Sequence, residues 1–69
     1  MLKKKILVNG CLYEYVDSMS AYDLLVYLGF NTKLILIDYN GSILQKEQWS
    51  QVFLENDDCL EIITLAGGG

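Results

Sequence analysis

The dipeptide Asn-Gly occurs twice, as Asn9-Gly10 and Asn40-Gly41, each time directly after an apolar run. It is the strongest short-range hairpin signal, because both residues tolerate the positive φ of a two-residue turn that follows the twist of its strands. Around the first turn, residues 3–8 and 11–16 read as paired strands, the second rich in aromatic and β-branched types. Around the second, residues 34–39 read as a dense apolar strand expected at the centre of a sheet, and 42–44 as a short return strand. A chain of 69 residues has room for one domain around these turns. A domain of this size buries only about 60% of its unfolded surface. The 52% apolar composition supplies a core for it, and there is no proline to interrupt the elements.

Between the hairpins lies a helix with marked ends. Ser20 is a good N-cap, and Asp23, three residues on, completes a capping box with Asp in place of Glu. Ala21, Leu24, Leu25 and Leu28 follow the i, i+3, i+4, i+7 spacing of one apolar face. Gly29 is placed for a left-handed C-cap, with Phe30 packing back on the helix. Beyond the second hairpin, residues 45–51 read as a helical turn whose single large apolar residue is Trp49, and 52–54 return to the core. Glu55-Asn56-Asp57-Asp58 is a polar turn. Residues 59–65 form the last strand, with Leu60 and Ile62 on one face and Glu61 and Ile63 on the other.

The order strand, strand, helix, strand, strand, strand makes an α+β layer: a mixed sheet of about five strands with one main helix packed on it. If the last strand lies beside the first and parallel to it, the fold is a ubiquitin-like β-grasp. Propensity alone leaves that pairing open.

Nine acidic residues face five lysines, for a net charge of −4, and arginine and histidine are absent. That excludes the basic face of a nucleic-acid binder. The run Lys3-Lys4-Lys5 reads as the guard of an edge strand. Without histidine the usual general bases and triads are missing, and no glycine loop precedes a helix to hold phosphate. The chain is therefore expected not to be an enzyme and to bind no cofactor or metal. Cys11 and Cys59 are too few for a disulfide framework and lack metal-ligand spacing, so they read as small buried residues. Glu55, Asp57, Asp58 and Glu61 lack calcium-loop spacing and read as a solvated turn. Tyr13, Tyr15, Tyr22, Tyr27 and Tyr39 read as sheet and rim packing. No apolar run is long enough to span a membrane, and Met1 to Ile6 lack a secretory pattern, so a cytoplasmic location, or a plastid stroma if the gene is organelle-encoded, is expected.

The chain ends Leu65-Ala66-Gly67-Gly68-Gly69. Glycines there add nothing to stability, since glycine loses the most entropy on ordering and has no side chain to pack. The division expected is a domain over 1–65 and a flexible tail over 66–69. Such a tail is thin enough to thread a narrow channel through Ala66, Gly67 and Gly68 and to deliver the Gly69 carboxylate to an enzyme. A carboxylate, ionised at neutral pH with a pKa of about 3.5, must be activated before a nucleophile can attack it. The outer positions Ile63 and Leu65, close to the tail, are candidate docking residues, as is Trp49, which could equally cover the core.

Val8-Asn9-Gly10, the helix start Ser20-x-x-Asp23-Leu24-Leu25 with Leu28-Gly29, the turn Gln45-Lys46-Glu47-Gln48-Trp49, and Asn56-Asp57-Asp58 ahead of a strand running into Ala-Gly-Gly together resemble the ThiS family of sulfur carriers in thiamine (thiazole) biosynthesis. The resemblance spans nearly the whole chain, and its most specific mark is Glu47-Gln48-Trp49. It departs from the family at Asn56-Asp57-Asp58, where an acidic turn usually holds a glycine. It implies the β-grasp fold and a Gly69 carboxylate that is adenylated at the expense of ATP and converted to a thiocarboxylate. The partners implied are a ThiF-type adenylating enzyme, a cysteine desulfurase or rhodanese-like sulfur donor, and thiazole synthase. Three other readings compete: a MoaD-like small subunit of molybdopterin synthase, whose family typically has prolines before the tail, a ubiquitin-like protein modifier, and a plain interaction module.

Overall fold

The computed structural model describes residues 3–65. Its elements are β1 (Lys4–Val8), β2 (Cys11–Tyr15), α1 (Ala21–Leu28), β3 (Ile35–Tyr39), β4 (Ser42–Leu44), a single 3₁₀ turn (Lys46–Gln48) and β5 (Cys59–Thr64). They form one five-stranded sheet in the order β2-β1-β5-β3-β4. β1 and β5 run parallel, with Leu7 opposite Cys59 and Val8 opposite Leu60, while the other pairs are antiparallel. This is the mixed, one-helix β-grasp arrangement. The middle strand is β5, not the dense apolar β3, which lies between β5 and β4.

Both Asn-Gly turns adopt the conformation their chemistry favours, with φ of 52° and 81° at Asn9-Gly10 and 51° and 93° at Asn40-Gly41. The helix ends are as the sequence marks them. Ser20 Oγ accepts from Asp23 N–H at 3.0 Å, Asp23 Oδ2 accepts from Ser20 N–H at 3.0 Å, and Gly29 closes the other end at φ 81°. The next N–H groups of α1 have no intrahelical acceptor. Ala21 N–H donates to the Val52 carbonyl and Tyr22 N–H to the Trp49 carbonyl, so the loop after β4 completes the cap.

The core is formed by alternate residues of three strands, Ile6 and Val8, Leu60 and Ile62, Ile35 and Ile37, closed by Ala21, Leu24 and Leu25 of α1 and by Trp49 and Leu54 from the loop. Each fully buried Leu or Ile contributes about 1.5–3 kcal/mol, which is what holds an eight-residue helix that would not persist alone.

Several polar positions differ from expectation. Asp58, in the acidic turn, is only 7% exposed. Its carboxylate accepts from Tyr39 Oη, from Asn40 Nδ2 at 3.1 Å and from Glu55 N–H at 2.7 Å. It is the polar centre of the loop before β5, because a buried carboxylate persists only where donors replace water. The lysine run does not guard an edge: β1 is flanked by β2 and β5, and Lys4 lies 5.9 Å over the Tyr15 ring. Both cysteines are exposed and free. Cys11 pairs with the inward-facing Val8 and Cys59 with the outward-facing Leu7, so the two lie on opposite faces of the sheet. Tyr13, Tyr15 and Tyr39 pack on the core, whereas Tyr22 and Tyr27 are exposed on α1.

Asp58→Ala leaves three donors without an acceptor and is expected to destabilise the domain by about 3 kcal/mol in urea unfolding. Burial, and then the bond to Asp58, hold the Tyr39 phenol well above its ordinary pKa; burial, then Asp58 and Glu55, raise that of Tyr15. Both phenols are neutral in the folded and unfolded chain below about pH 10, where their full contribution is present. Above that the unfolded chain ionises first, so stability falls as pH rises toward the folded-state values. Thermal melts between about pH 8 and about pH 11 should show that fall, and Tyr39→Phe should make it shallower.

Candidate functional site

A sheet with a helix on one face leaves the alternate residues of every strand on the other. Here those outward residues are mostly apolar: Leu12 of β2, Leu7 of β1, Ile63 of β5, Leu36 of β3 and Ile43 of β4, all exposed. The pairings set them side by side, with Leu12 opposite Leu7 and Leu36 opposite Ile63. Leu34 and Leu65 extend the second group beyond the strand ends, held together by a Leu65 N–H to Leu34 carbonyl bond of 2.7 Å. Beside them, Asp38 and Glu61 stand directly opposite each other, and Ile43 pairs with Asp38.

Like charges on opposed positions destabilise a sheet, so the Asp38–Glu61 pair does not serve the ladder. Asp38 has one local task, since its Oδ1 accepts from Gly41 N–H at 2.9 Å in the second turn. The face is thus largely apolar, with the acidic Asp38–Glu61 pair set into it on β3 and β5 and the Lys5–Glu14 pair on β1 and β2. It suits a partner that offers apolar area and a cation.

The same strand leads toward the tail and is fastened on both sides as it goes. Thr64 pairs with Ile35 of β3. On the β1 side, where the parallel ladder ends, the Asn9 side chain replaces a strand: its Oδ1 accepts from Ile62 N–H at 2.7 Å and its Nδ2 donates to the Ile62 carbonyl at 3.4 Å. The last described residue, Leu65, is bonded to the sheet next to the apolar group. The expected tail residues Ala66, Gly67 and Gly68 and the expected reactive end Gly69 lie outside the described residues, as does the division at residue 65.

Of the docking candidates, Ile63 and Leu65 are each 43% exposed on this face. Trp49 is not: it is 3% exposed, its Nε1 donates to the Leu44 carbonyl at 3.0 Å, and its ring is part of the core. Expecting it in an interface is corrected by its place under the end of β4, where it closes the core. Leu34, Leu36, Leu7 and Leu12 were not singled out as docking residues by the sequence reading. The available signal was the unbroken run Leu34-Ile35-Leu36-Ile37, in which strand alternation must turn two of four apolar residues away from a one-sided core.

The ThiS family model matches residues 6–69. An uncharacterized protein ycf40 from Trieres chinensis is 36% identical over 66 residues, covering 96% of this chain and 90% of that protein. The sulfur carrier protein ThiS of Bacillus subtilis is 32% identical over 53 residues, covering 77% of this chain and 80% of that one. A thiazole synthase of Paramagnetospirillum magneticum is 32% identical over 65 residues, which are 94% of this chain and 20% of that protein. The crystal structure of thiamine biosynthesis protein ThiS from Geobacter metallireducens superposes with a TM-score of 0.78 at 26% identity, covering 94% of this chain and 99% of that one. On its matched family model, its relatives and its fold, the chain belongs to the ThiS family of sulfur carrier proteins.

Proposed function

We propose that this chain carries sulfur on the carboxylate of Gly69 and delivers it to thiazole formation in thiamine biosynthesis. The observation that carries the reading is the course of β5: it runs through the middle of the sheet, is fastened on both sides, and leads the chain toward its glycines beside an exposed apolar face. A ThiF-type adenylating enzyme would join the Gly69 carboxylate to AMP, releasing pyrophosphate from ATP. A persulfide delivered by a cysteine desulfurase or a rhodanese-like protein would then displace AMP to give an acyl disulfide. A thiol would reduce its S–S bond, becoming a disulfide with the donor cysteine and leaving the thiocarboxylate on Gly69. Thiazole synthase is the acceptor. The similarity of nearly this whole chain to one fifth of a thiazole synthase in Paramagnetospirillum magneticum supports that pairing. In this reading the protein is a cosubstrate, and ATP is bound by its partner. The cytoplasm or a plastid stroma supplies ATP and the partner enzymes together.

Ile63 and Leu65, with Leu34 and Leu36 beside them, form the docking group for the adenylating enzyme, and the Asp38–Glu61 pair attracts a basic residue on it. Sulfur transfer, tested with ATP, the adenylating enzyme and a sulfur source, should place sulfur on Gly69 when the C-terminal peptide is fragmented by mass spectrometry. Sulfur anywhere else, or no adenylation of Gly69, would sink the reading. Ile63→Lys puts a charge into the apolar group at an exposed site. It should lower kcat/KM for thiocarboxylate formation by roughly 30-fold, about 2 kcal/mol, and leave the melting temperature within a few degrees of the original. An unchanged kcat/KM would place docking elsewhere.

A further inference from the structure

The two edges of the sheet differ. β4 has three residues, and only Ile43, at its middle, turns its N–H and carbonyl away from β3. β2 has five residues, Cys11-Leu12-Tyr13-Glu14-Tyr15, with no proline, no lysine and an unbroken register from Lys4↔Tyr15 to Val8↔Cys11. Natural edges are commonly guarded by charged side chains, lysine especially, by proline or by a bulge, and of these β2 has only Glu14.

The hydrogen bonds say which of its groups are free. Lys5, Leu7 and Asn9 direct their backbone N–H groups to Asn56, Asp58 and Leu60, on the β5 side. Lys4, Ile6 and Val8 therefore direct theirs to β2, where their partners are Tyr15, Tyr13 and Cys11. Leu12 and Glu14 are left with N–H and carbonyl groups facing outward.

We propose that a second copy of this chain pairs with it, antiparallel, along β2. The register follows from parity and charge. Outward groups must meet outward groups, so a two-fold axis passes through Leu12, Tyr13 or Glu14. An axis through Glu14 sets two carboxylates directly opposite each other, which is unfavourable. An axis through Leu12 matches Glu14 with Gly10 of the turn and loses half the pairing. The axis through Tyr13 matches Leu12 of each copy with Glu14 of the other, and each of these residues both donates and accepts. It also places Tyr13 opposite Tyr13 as a close non-hydrogen-bonded aromatic pair. On the outer face Lys5 and Glu14 of one copy continue into Leu12 and Leu7 of the other. The interface is isologous and closes on itself. It leaves Ile63 and Leu36, on β5 and β3, uncovered.

The test is light scattering on a sizing column from about 10 μM to about 1 mM, with amide exchange at both ends of that range. The expected mass rises with concentration toward twice 7.8 kDa. The Leu12 and Glu14 amides, without a partner among the described residues of one copy, should exchange at least about tenfold more slowly at high concentration. Leu12→Pro removes an outward N–H that takes no part in the β1–β2 ladder, and it should hold the chain at 7.8 kDa with an unchanged circular dichroism spectrum. A single-copy mass throughout, a dimer whose Leu12 and Glu14 amides exchange freely, or a folded Leu12→Pro variant that still dimerises would each overturn the proposal. If Leu12→Pro does not fold, exchange in the unaltered chain decides alone.

Discussion

Everything in this fold is fastened to β5. Two hairpins formed by local turns meet on either side of it, one parallel and one antiparallel, and in the sheet each is hydrogen-bonded to β5 rather than to the other. The parallel contact is the demanding one, since it joins residues more than fifty positions apart and its loop-closure entropy has to be recovered. Side chains extend that contact past the ladder at both ends. Asn56 Oδ1 accepts from Lys5 N–H at the start, and Asn9 holds the N–H and carbonyl of Ile62 at the finish. Asn40, in the other turn, accepts from Cys59 N–H through Oδ1 at 2.8 Å while its own N–H donates to the Cys59 carbonyl at 2.8 Å. Each turn asparagine thus does two things: it takes the positive φ its hairpin requires, and its side chain ties that hairpin to the central strand.

Asp58 belongs to the same system from the other side. Its carboxylate gathers Tyr39 of β3, Asn40 of the second turn and the backbone of its own loop, and its carbonyl accepts from Leu7 of β1. One buried residue therefore joins both halves of the sheet at the point where β5 begins. Its charge tolerates burial because donors surround it.

Much of this was legible in the sequence. The two Asn-Gly turns, the Ser20–Asp23 capping box, the Gly29 stop and the inward Leu60 and Ile62 are local signals whose outcome local geometry decides. The residues misread were those whose role is set by distant chain. Asp58 sits in a run of polar residues and looks solvated, and only the approach of Tyr39 and Asn40 buries it. Trp49, the only tryptophan, fits an interface or a core equally well until the loop folds under β4. Cys11 and Cys59 are residue types usually buried, yet one pairs at a turn and the other begins the outer row of β5. The lysines lie on β1, and whether β1 is an edge depends on where the last strand goes. At the site, Ile63 and Leu65 could be read from alternation in one strand, but their neighbours Leu36 and Leu34 required the β3–β5 register.

The division between the two faces would let so small a domain meet the two partners that the proposed role requires. Cohesion comes from the inward residues of the sheet, from α1, and from the asparagine and aspartate bonds at the ends of β5. The outward residues Leu7, Leu12, Leu36, Ile43 and Ile63 add little to it, because a half-exposed side chain removes only part of its apolar area from water. Their apolar character therefore calls for a use outside the domain. In the proposed role an adenylating enzyme and a sulfur acceptor would each have to reach the same glycines, and the face closest to Leu65 is the one that both would grip. Two proteins that need one face cannot hold it at once, so in that role the carrier would have to leave the first before meeting the second. A modest apolar area with an acidic pair, rather than a large dry interface, suits such repeated exchange, since steering by charge speeds association while the limited area lets the complex part.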